Sequence, residues 1–469
     1  MQPLTATAKK LNKVRALSAL MPDPKLPAFD YQPAVYKGPS FEEVMRKRKT
    51  CMHSNVLTYY KKPFLAVEGR EQFMFDQEGK RYLDMFAGIV TVSLGHSHPR
   101  IVEAITRQAS TLMHTAPMYA NNEVAQYAEE LLQRFPDHLD TVFFANSGSE
   151  ANDLALRLAR MYTGNYTIMS VRHGYHGMSG LTTALTATEG WKHNLPEPFG
   201  IERSLCPDTY KGAFTGDDAI AKYLKDFREV VNTQTSGSLA GFICEPVQGV
   251  GGCVNIPDDY LQKVYEITRQ AGGVCISDEV QTGFHRTGSN FCGFQLKGVT
   301  PDIVVCAKAI ANGMPLAAVI TRKEIADSVV KNTLNTFGGN PIASAVGREV
   351  LKIIDDENIA QNVQEVGEYL TEGILYLKDK YEIIGDVRGA GLMIGVELVT
   401  NRETKDPNLT ALLNIFERTK DLGLLIGKTQ NVFRIKPPLI VNKRDCDFAV
   451  DVLDKAFAEE QEGLLKWFQ

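Results

Sequence analysis

Between residues 141 and 320, short apolar runs alternate with stretches of helical periodicity, and no other feature of the chain constrains its fold as much. The runs are continuous and rich in Val, Ile and Cys, which is typical of strands that are buried on both faces. They cover residues 142–145, 166–171, 239–244, 274–277, 303–307 and 316–321. Because buried strands separated by helices form sheets that those helices cover, the sequence predicts an α/β fold with a mostly parallel central sheet.

The flanking parts of the chain follow other patterns, and a length of 469 residues is enough for more than one lobe. A proline-rich arm and several strand-like runs come first, and after about residue 345 helices and strands follow in a mixed order. We therefore predict an N-terminal arm with strands (26–85), a large domain (86–345) and a smaller α+β domain (346–469). The N-terminal strands are expected to pack with the small domain.

The first 25 residues are basic and contain no acidic residue before Asp23. Lys9, Lys10, Lys13 and Arg15 accompany several hydroxyl side chains, which is the composition of a mitochondrial transit peptide. A basic arm on a cytoplasmic protein is the alternative. We expect a transit segment at 1–25 and location in the mitochondrial matrix.

Composition excludes several classes of partner. A net charge of −5 and a pI near 6.1 give no electrostatic case for nucleic acid or an anionic membrane. No apolar run approaches the roughly 20 residues that span a bilayer. The eight cysteines form no Cys-x-x-Cys pair and predict a reducing compartment. The histidine pairs at 96/98 and 173/176 lack the further ligands of a closed metal site, so no metal is predicted.

Two of the buried runs end on opposite charges. Asp278 ends one run and Lys308 ends the next, and the carboxyl ends of parallel strands are where such sheets bind ligands. Small apolar neighbours would desolvate Lys308, lower its pKa and make it a nucleophile and base, although lysines at strand ends are usually solvated. An amine and a carboxylate at one edge suit a pyridoxal phosphate enzyme, in which the lysine attaches the cofactor and the aspartate keeps the pyridine nitrogen protonated.

The remaining parts of such a site are present in the sequence. Ser147 and Glu150 have capping-box spacing, so the amides of Gly148 and Ser149 should face outward from a helix N-terminus and bind a phosphate. A capped helix without a ligand is the alternative. Tyr175 follows a predicted strand and could stack on the cofactor ring, or could be a buried structural tyrosine.

Several motifs together resemble the class III pyridoxal phosphate-dependent aminotransferases, from about residue 55 to the end. They are Ser-Gly-Ser-Glu-Ala-Asn (147–152), Glu-Pro-Val-Gln-Gly (245–249), Asp-Glu-Val-Gln-Thr-Gly-Phe (278–284), Ala-Lys (307–308) and Thr-Phe-Gly-Gly-Asn-Pro (336–341). The resemblance implies fold type I, with the cofactor bound in the large domain.

The resemblance also implies roles for individual residues. Lys308 would move a proton between substrate Cα and cofactor C4′, and Asp278 would pair with the pyridine nitrogen. Gln281 would bond the ring hydroxyl, Tyr175 would stack, and Gly148 and Ser149 would hold the phosphate. Thr336 would reach that phosphate from a neighbouring subunit, so a homodimer or a dimer of dimers is expected.

Substrate binding is expected at Arg434, because a guanidinium binds a carboxylate through two parallel hydrogen bonds. In similar enzymes a carboxylate at the position of Glu245 can pair with this arginine, and we keep that pairing as a hypothesis. The resemblance implies ping-pong transfer of an amino group from L-alanine, or a similar small amino acid, to glyoxylate, giving pyruvate and glycine.

Other activities stay open. They are a β-alanine/3-aminoisobutyrate–pyruvate or 4-aminobutyrate aminotransferase, a pyridoxal phosphate-dependent phospholyase, and an inactive homologue that serves as a binding protein. Aminobutyrate enzymes carry an arginine where this chain has Met178. Ala309, Ala311 and His285 replace family glycines, and the two alanines could change how closely the backbone approaches the active lysine.

Overall fold

The computed structural model describes residues 20–53, 58–194 and 196–468. The predicted transit segment falls mainly on residues 1–19, which lie outside the described residues. Within the described ranges, no helix has the length and apolar character needed to cross a membrane.

The described chain contains strands of three sheets. In chain order these strands are β1 (Ala66–Arg70), β2 (Phe73–Asp76), β3 (Arg81–Asp84), β4 (Thr141–Ala145), β5 (Ile168–Val171), β6 (Ile201–Ser204), β7 (Gly241–Cys244), β8 (Val274–Asp278), β9 (Ile303–Cys306), β10 (Ala317–Thr321), β11 (Ile384–Ala390), β12 (Met393–Leu398), β13 (Leu424–Leu425), β14 (Gly427–Thr429) and β15 (Val432–Ile435).

The longer helices surround these sheets. They are α1 (Phe41–Cys51), α2 (Pro99–Thr111), α3 (Asn122–Leu132), α4 (Gly148–Thr163), α5 (Ala219–Gln234), α6 (Asp258–Gln270), α7 (Pro341–Asp356), α8 (Ile359–Lys380), α9 (Leu409–Asp421) and α10 (Lys443–Gln461). Shorter helical turns cover Ala87–Val90, Thr182–Leu185, Glu189–Trp191, Gly293–Leu296, Lys308–Ala311 and Lys323–Ala326.

The central sheet has seven strands in the order β4-β10-β9-β8-β7-β5-β6. Strand β10 is antiparallel to both of its neighbours, and the remaining pairs are parallel. The predicted α/β class with a mostly parallel sheet is therefore confirmed, and all six predicted runs are strands. Strand β6 was missed because it lies at the sheet edge, where the half-buried Glu202 and Arg203 interrupt any apolar run.

Parallel pairing brings the carboxyl ends of β5, β7, β8 and β9 to one edge of the sheet. The strands themselves are fully buried, with Ile243, Ile276 and Val305 at 0% exposure between the covering helices. Burial on both faces therefore makes the sheet a rigid base, and the turns that leave this edge carry the polar side chains.

Two smaller sheets lie outside the central sheet, and the second of them connects the N- and C-terminal parts of the chain. One has the order β11-β12-β15-β14, and the other has the order β1-β2-β3-β13. In the second sheet, β13 from the C-terminal part pairs with β3 in parallel, with Leu424 opposite Leu83. The predicted domain boundaries stay predictions, and the one at residue 345 falls inside helix α7.

The N-terminal arm lies against the C-terminal part of the chain. The ring of Phe29 contacts that of Phe73 with 4.6 Å between centroids. Asp23 forms an ion pair with Arg418 at 2.9 Å, and Lys455 donates to the carbonyl oxygen of Met21 at 2.6 Å. These contacts fix the arm at Met21, Asp23 and Phe29 against the rest of the chain.

Gly389 occupies a position in the β11–β12 hairpin that no larger residue fits. Its φ is 128°, and a Cβ atom there would lie 1.9 Å from the carbonyl oxygen of Met393. We expect Gly389→Ala to lower the free energy of unfolding by about 2–4 kcal/mol, as strain and steric overlap add. The denaturant midpoint measures this loss.

Gly180 is the matched control for this substitution. It has ordinary φ and no atom within 4 Å of a built Cβ, so Gly180→Ala should leave the midpoint nearly unchanged. An unchanged midpoint in Gly389→Ala would mean that the hairpin adjusts without cost.

Candidate active site

A cavity of about 470 Å³ opens at the carboxyl edge of the central sheet. Eight of the nine site residues predicted from the sequence line it, and they come from separate elements of the fold. They are Gly148, Ser149, Tyr175, Glu245, Asp278, Gln281, Lys308 and Arg434. Thr336, the ninth, is exposed and does not line the cavity of its own chain.

Lys308 begins a helical turn directly after β9, with its backbone in the left-handed region at φ 54°. This conformation is uncommon for a residue with a side chain, and such residues occur at functional sites as well as in turns. Burial, together with the positive charge of Arg434, lowers the pKa of Lys308 to about 8, although Asp278 and Glu245 oppose that shift. An amine with this pKa is partly neutral near pH 7 and can act as a nucleophile or base.

The three residues that stand in place of family glycines differ in backbone conformation. Ala309 and Ala311 are buried and lie outside the left-handed region, so an added methyl group requires no unusual backbone. His285, in contrast, keeps a left-handed φ of 63°, which favours glycine. The strain therefore lies at His285, whereas the backbone next to Lys308 accommodates both alanines.

Asp278 ends β8 and is almost completely buried. One carboxylate oxygen, Oδ2, is 2.7 Å from His176 Nδ1 and accepts from Asn152 Nδ2 at 2.8 Å. The other oxygen accepts from the backbone N–H of Val280 at 3.1 Å. Burial alone would lower the pKa of His176, but its hydrogen bond to Asp278 raises that pKa above the usual value. These contacts fix the orientation of the Asp278 carboxylate.

His176 and Asn152 were not predicted as site residues. Asn152 is four residues after Gly148 on helix α4, which places both residues on the same helix face. That spacing was a usable signal for Asn152. His176 was considered only as a metal ligand, and among the described residues no three His, Cys, Asp or Glu side chains form a metal-ligand cluster.

Helix α4 begins at the cavity, with Ser147 as its N-cap. Ser147 Oγ accepts from the N–H of Glu150 at 3.3 Å, as predicted. The reciprocal bond differs from a capping box, because Glu150 Oε2 accepts from the N–H of Asn146 at 2.9 Å. The same oxygen of Glu150 also accepts a hydrogen bond of 3.0 Å from Asn335 Nδ2. The N-terminal end of the helix still faces the cavity through Gly148 and Ser149.

Tyr175 and Gln281 line the walls of the cavity. The ring of Tyr175 meets Trp191 edge-on, with centroids 5.2 Å apart, and burial raises the pKa of its hydroxyl. Gln281 Oε1 accepts a hydrogen bond of 3.0 Å from Lys436 Nζ. Sequence reasoning did not identify Lys436.

Arg434 is held by an aromatic stack and two carbonyl groups. Its guanidinium lies 5.1 Å from the ring centroid of Phe86, which stacks in turn on Tyr59 at 5.8 Å. Its Nη2 donates to the carbonyl oxygen of Lys428 at 3.2 Å, and its Nη1 is 3.5 Å from that of Gly249. The stack limits the directions in which the guanidinium can point.

Among the described residues, the hydrogen-bond partners of the Glu245 carboxylate are backbone groups and not Arg434. Its two carboxylate oxygens accept from the backbone N–H groups of Tyr175 at 3.0 Å and Gly249 at 2.7 Å. Burial raises the pKa of Glu245, and the charge of His176 opposes the rise. Within the described chain, Glu245 forms no ion pair with Arg434, so in this structure it connects two loops of the cavity wall.

The cavity fits the cofactor that the sequence resemblance implies. A helix N-terminus supplies an anion site at one part of the wall, and the oriented carboxylate of Asp278 lies at another. The partly neutral amine of Lys308 opens into the same space, and Tyr175 offers a flat aromatic face. These residues suit a small aromatic ring that carries a phosphate, a ring nitrogen and an aldehyde, as pyridoxal phosphate does.

Comparison with known proteins gives an independent result. The sequence pattern of the family described as aminotransferase class-III matches residues 58–457. The protein named alanine–glyoxylate aminotransferase 2 homolog 2, mitochondrial, from Arabidopsis thaliana is 44% identical over 462 residues. These are 98% of this chain and 94% of the relative.

Solved structures agree in fold. A phospholyase from Arthrobacter, in complex with phosphoethanolamine, matches with a TM-score of 0.83 and 30% identity over 89% of this chain and 99% of its own. A PLP-bound amine transaminase from an uncultivated Pseudomonas species matches with a TM-score of 0.82 and 29% identity, covering 87% and 98%. Given these matches, the chain belongs to the class III aminotransferases and is a pyridoxal phosphate-dependent enzyme.

Proposed function

We propose that the enzyme transfers the amino group of L-alanine, or a similar small amino acid, to glyoxylate and yields pyruvate and glycine. The observation that carries this proposal is Arg434, the one arginine among the described residues of the cavity wall. A single guanidinium near Lys308 suits substrates with one carboxylate next to the reacting carbon. The name and 44% identity of the Arabidopsis thaliana relative support the choice of donor and acceptor.

Five residues of the site have tasks that involve the cofactor in this reaction. Pyridoxal phosphate supplies an aldehyde that captures amino groups and a ring that accepts the electron pair of the broken Cα–H bond. Lys308 Nζ takes the proton from the substrate Cα and delivers it to cofactor C4′. Asp278 holds the proton on the pyridine nitrogen, Gln281 donates to the ring oxygen, and the amides of Gly148 and Ser149 bind the phosphate.

The two halves of the reaction use the same residues in opposite directions. Arg434 orients the carboxylate of alanine so that its Cα–H lies near Lys308. After pyruvate leaves, Arg434 binds the carboxylate of glyoxylate, and Lys308 returns a proton to the carbon that becomes glycine Cα. Ping-pong kinetics follow, because the amino group of alanine stays on the cofactor after pyruvate leaves and is passed on only when glyoxylate has bound.

The alternative activities need cationic groups beyond those that the described residues of the cavity wall supply. A phospholyase must bind a second phosphate and needs cationic side chains for it. Among the described residues of the cavity wall, the only arginine is Arg434 and the only lysine is Lys308, and both already have roles in transamination. A 4-aminobutyrate aminotransferase needs a cation for the distal carboxylate. Met178 stands at that position and contributes only a backbone hydrogen bond to Ser149 Oγ.

A panel of substrates tests the proposal. The purified holoenzyme is incubated with L-alanine and glyoxylate, with β-alanine or 4-aminobutyrate and pyruvate, and with phosphoethanolamine alone. We expect transamination to be fastest in the first mixture, where it yields pyruvate and glycine. Release of inorganic phosphate from phosphoethanolamine, without transamination of alanine, would reject the proposal in favour of a phospholyase.

Replacing Arg434 should weaken carboxylate binding in particular. For Arg434→Gln we expect kcat/KM for L-alanine to fall about 100-fold, since two charge-assisted hydrogen bonds are lost. Isopropylamine, which has a methyl group in place of the carboxylate of alanine, should be used with unchanged kcat/KM. Steady-state kinetics with both amines measure the difference.

Arg434→Lys is the matched control, because it keeps the charge and loses the planar fork. Its kcat/KM for L-alanine should lie between those of the wild type and Arg434→Gln. An equal loss with both amines would show that Arg434 supports the cavity wall and does not bind the carboxylate.

We further propose that two copies of the chain form the enzyme. Large apolar side chains that are 42–82% exposed occur in the adjacent segments 112–119 and 330–337, which meet where His114 contacts Phe337. They are Leu112, Met113, Met118, Tyr119, Val330, Leu334 and Phe337. Thr336 lies in the second segment, and its neighbour Asn335 is bonded to Asn146 at the start of the phosphate site. A second copy on this face would place Thr336 near the phosphate of its partner.

The mass of the holoenzyme in solution tests the dimer. We expect at least twice the chain mass of 52.0 kDa in light scattering. Leu334→Asp should produce monomers that lose cofactor, whereas Phe199→Asp, at an even more exposed apolar residue elsewhere, should not. A fully active wild-type monomer would contradict the proposal.

We propose that the enzyme works in the mitochondrial matrix. The basic segment 1–25 and the mitochondrial name of the Arabidopsis thaliana relative support this location. Residues 1–25 fused to a fluorescent protein should direct it to mitochondria. A diffuse cytoplasmic signal would favour the alternative location.

A further inference from the structure

Lys436 is a fully buried lysine that connects the cofactor and substrate sides of the cavity. It follows β15 and lies two residues after Arg434, so both side chains point to the same side of the extended chain. Its Nζ donates to Gln281 Oε1 at 3.0 Å and to the carbonyl oxygen of Gly249 at 3.3 Å. Arg434 approaches that same carbonyl group.

The amide of Gln281 is held on two sides. Gly249 packs directly against it, since a Cβ at residue 249 would lie 2.1 Å from Gln281 Nε2 and 2.3 Å from Cδ. The ammonium group of Lys436 donates a hydrogen bond to Oε1 of Gln281. Within the described chain, Nε2 has no hydrogen-bond partner, and Gln281 lines the cavity. The free end of the amide is therefore its donor.

This arrangement decides which end of the amide meets the cofactor. The oxygen and nitrogen ends of a glutamine amide have nearly the same shape, so packing alone does not distinguish them. A cation at one end does, because it binds only the oxygen. With the oxygen held, the N–H group can donate to an oxygen on the cofactor ring.

We propose that Lys436 is a positioning residue that fixes the Gln281 amide with its nitrogen toward the ring oxygen of pyridoxal phosphate. The inference rests on the role proposed above for Gln281. It extends that role, because the strand that carries the substrate anchor Arg434 then also sets the hydrogen bonding of the cofactor. Lys436 itself touches neither substrate nor cofactor in this scheme.

The charge of Lys436 depends on pH. Burial lowers the pKa of its amine to about 7, with Arg434 and Lys308 acting in the same direction and Cys253 and Glu245 against it. The charged amine can only donate and therefore selects Gln281 Oε1, whereas the neutral amine can also accept from an amide N–H group. The amide orientation is therefore fixed most strongly below about pH 7.

A double-mutant cycle on the holoenzyme tests the proposal. The wild type, Lys436→Met, Gln281→Leu and the double variant are compared by the pH midpoint of the visible absorbance of bound pyridoxal phosphate. The rate of cofactor loss on dialysis is measured as well. Losing the donor to the ring oxygen makes the cofactor hold its proton more tightly, so Lys436→Met should raise the midpoint by about one pH unit. It should also speed cofactor loss about tenfold.

The proposal is decided by comparing the effect of Lys436→Met in the wild type with its effect in the Gln281→Leu variant. If Lys436 acts through Gln281, Lys436→Met should have less than half of its effect in the Gln281→Leu background. Equal effects in both backgrounds would overturn the proposal and make Lys436 an independent charge. No effect in either background would make it a packing residue only, and would overturn the proposal as well.

Gly249→Ala provides a second route that leaves Lys436 intact. Its Cβ would displace the Gln281 amide, so it should reproduce the midpoint of Gln281→Leu. A wild-type pH midpoint in Gly249→Ala would contradict the inference that the position of the Gln281 amide controls the midpoint. These measurements need only bound cofactor, so they stay valid if the enzyme proves inactive with alanine and glyoxylate. An unchanged midpoint in Gln281→Leu would reject the role of Gln281 without affecting the transaminase proposal.

Discussion

Lys308→Ala should abolish transamination and leave any bound cofactor without a covalent link to the protein. In the proposed mechanism Lys308 combines two tasks, capturing the cofactor aldehyde and moving the proton, and acid–base catalysis alone contributes about 10²–10⁴-fold. We therefore expect kcat/KM to fall by at least about 10⁴-fold. The visible absorbance band of the holoenzyme should disappear, and borohydride should no longer fix the cofactor to the chain, as mass spectrometry of the peptide would show.

The lowered pKa of Lys308 predicts a pH dependence for cofactor capture. A pKa of about 8 leaves roughly one amine in ten neutral at pH 7, against about three in ten thousand for an ordinary lysine. The rate at which apoenzyme captures the cofactor should rise with pH and level off above about pH 8. Capture that rises without levelling to pH 10 would show an ordinary amine.

Lys323→Ala is the matched control for Lys308→Ala. Lys323 is an exposed lysine that pairs with Asp327 at 3.3 Å and does not line the cavity. This variant should keep the band, the borohydride product and the activity. An unchanged band in Lys308→Ala would assign the covalent link to another amine.

The positions of Lys308 and Asp278 were predictable because they depend on local pattern and strand direction. Each residue ends a buried run, and parallel pairing of β8 with β9 brings the two runs to one sheet edge. Gly148 and Ser149 were predictable for a similar reason, since a helix cap can be read from four successive residues. These parts of the site follow from local patterns and from the pairing of neighbouring strands.

The residues that orient these groups were not predictable in the same way. His176 and Asn152 reach Asp278 across 102 and 126 residues of sequence, and Tyr59 reaches the Phe86–Arg434 stack from the N-terminal part of the chain. Such pairs depend on how separate elements pack, which no run of residues encodes. The backbone N–H groups that bind the Glu245 carboxylate in this structure illustrate the point, since the sequence motif around Glu245 does not indicate them.

Asp278→Asn should retain the cofactor link and lose most of the activity. Asn152 and His176 both meet Oδ2, and Val280 donates to Oδ1, so an amide nitrogen at either position would displace an acceptor. The orientation that keeps the bonds to Asn152 and His176 turns the amide N–H₂ toward Val280, and in either orientation the negative charge is lost. The proton on the pyridine nitrogen is then no longer stabilised, and we expect kcat to fall by about 10²–10³-fold.

Asp327→Asn is the control, because it neutralises the surface aspartate that pairs with Lys323 and should leave kcat unchanged. The visible band distinguishes lost chemistry from lost folding, since Lys308 remains in Asp278→Asn and should still hold the cofactor. A protein with the band, normal solubility and wild-type kcat would show that the Asp278 charge is not needed at the ring nitrogen. A protein without cofactor would instead show that the hydrogen bonds of Asp278 to His176 and Asn152 hold the cavity together, because their loss would have disordered the wall that faces Lys308.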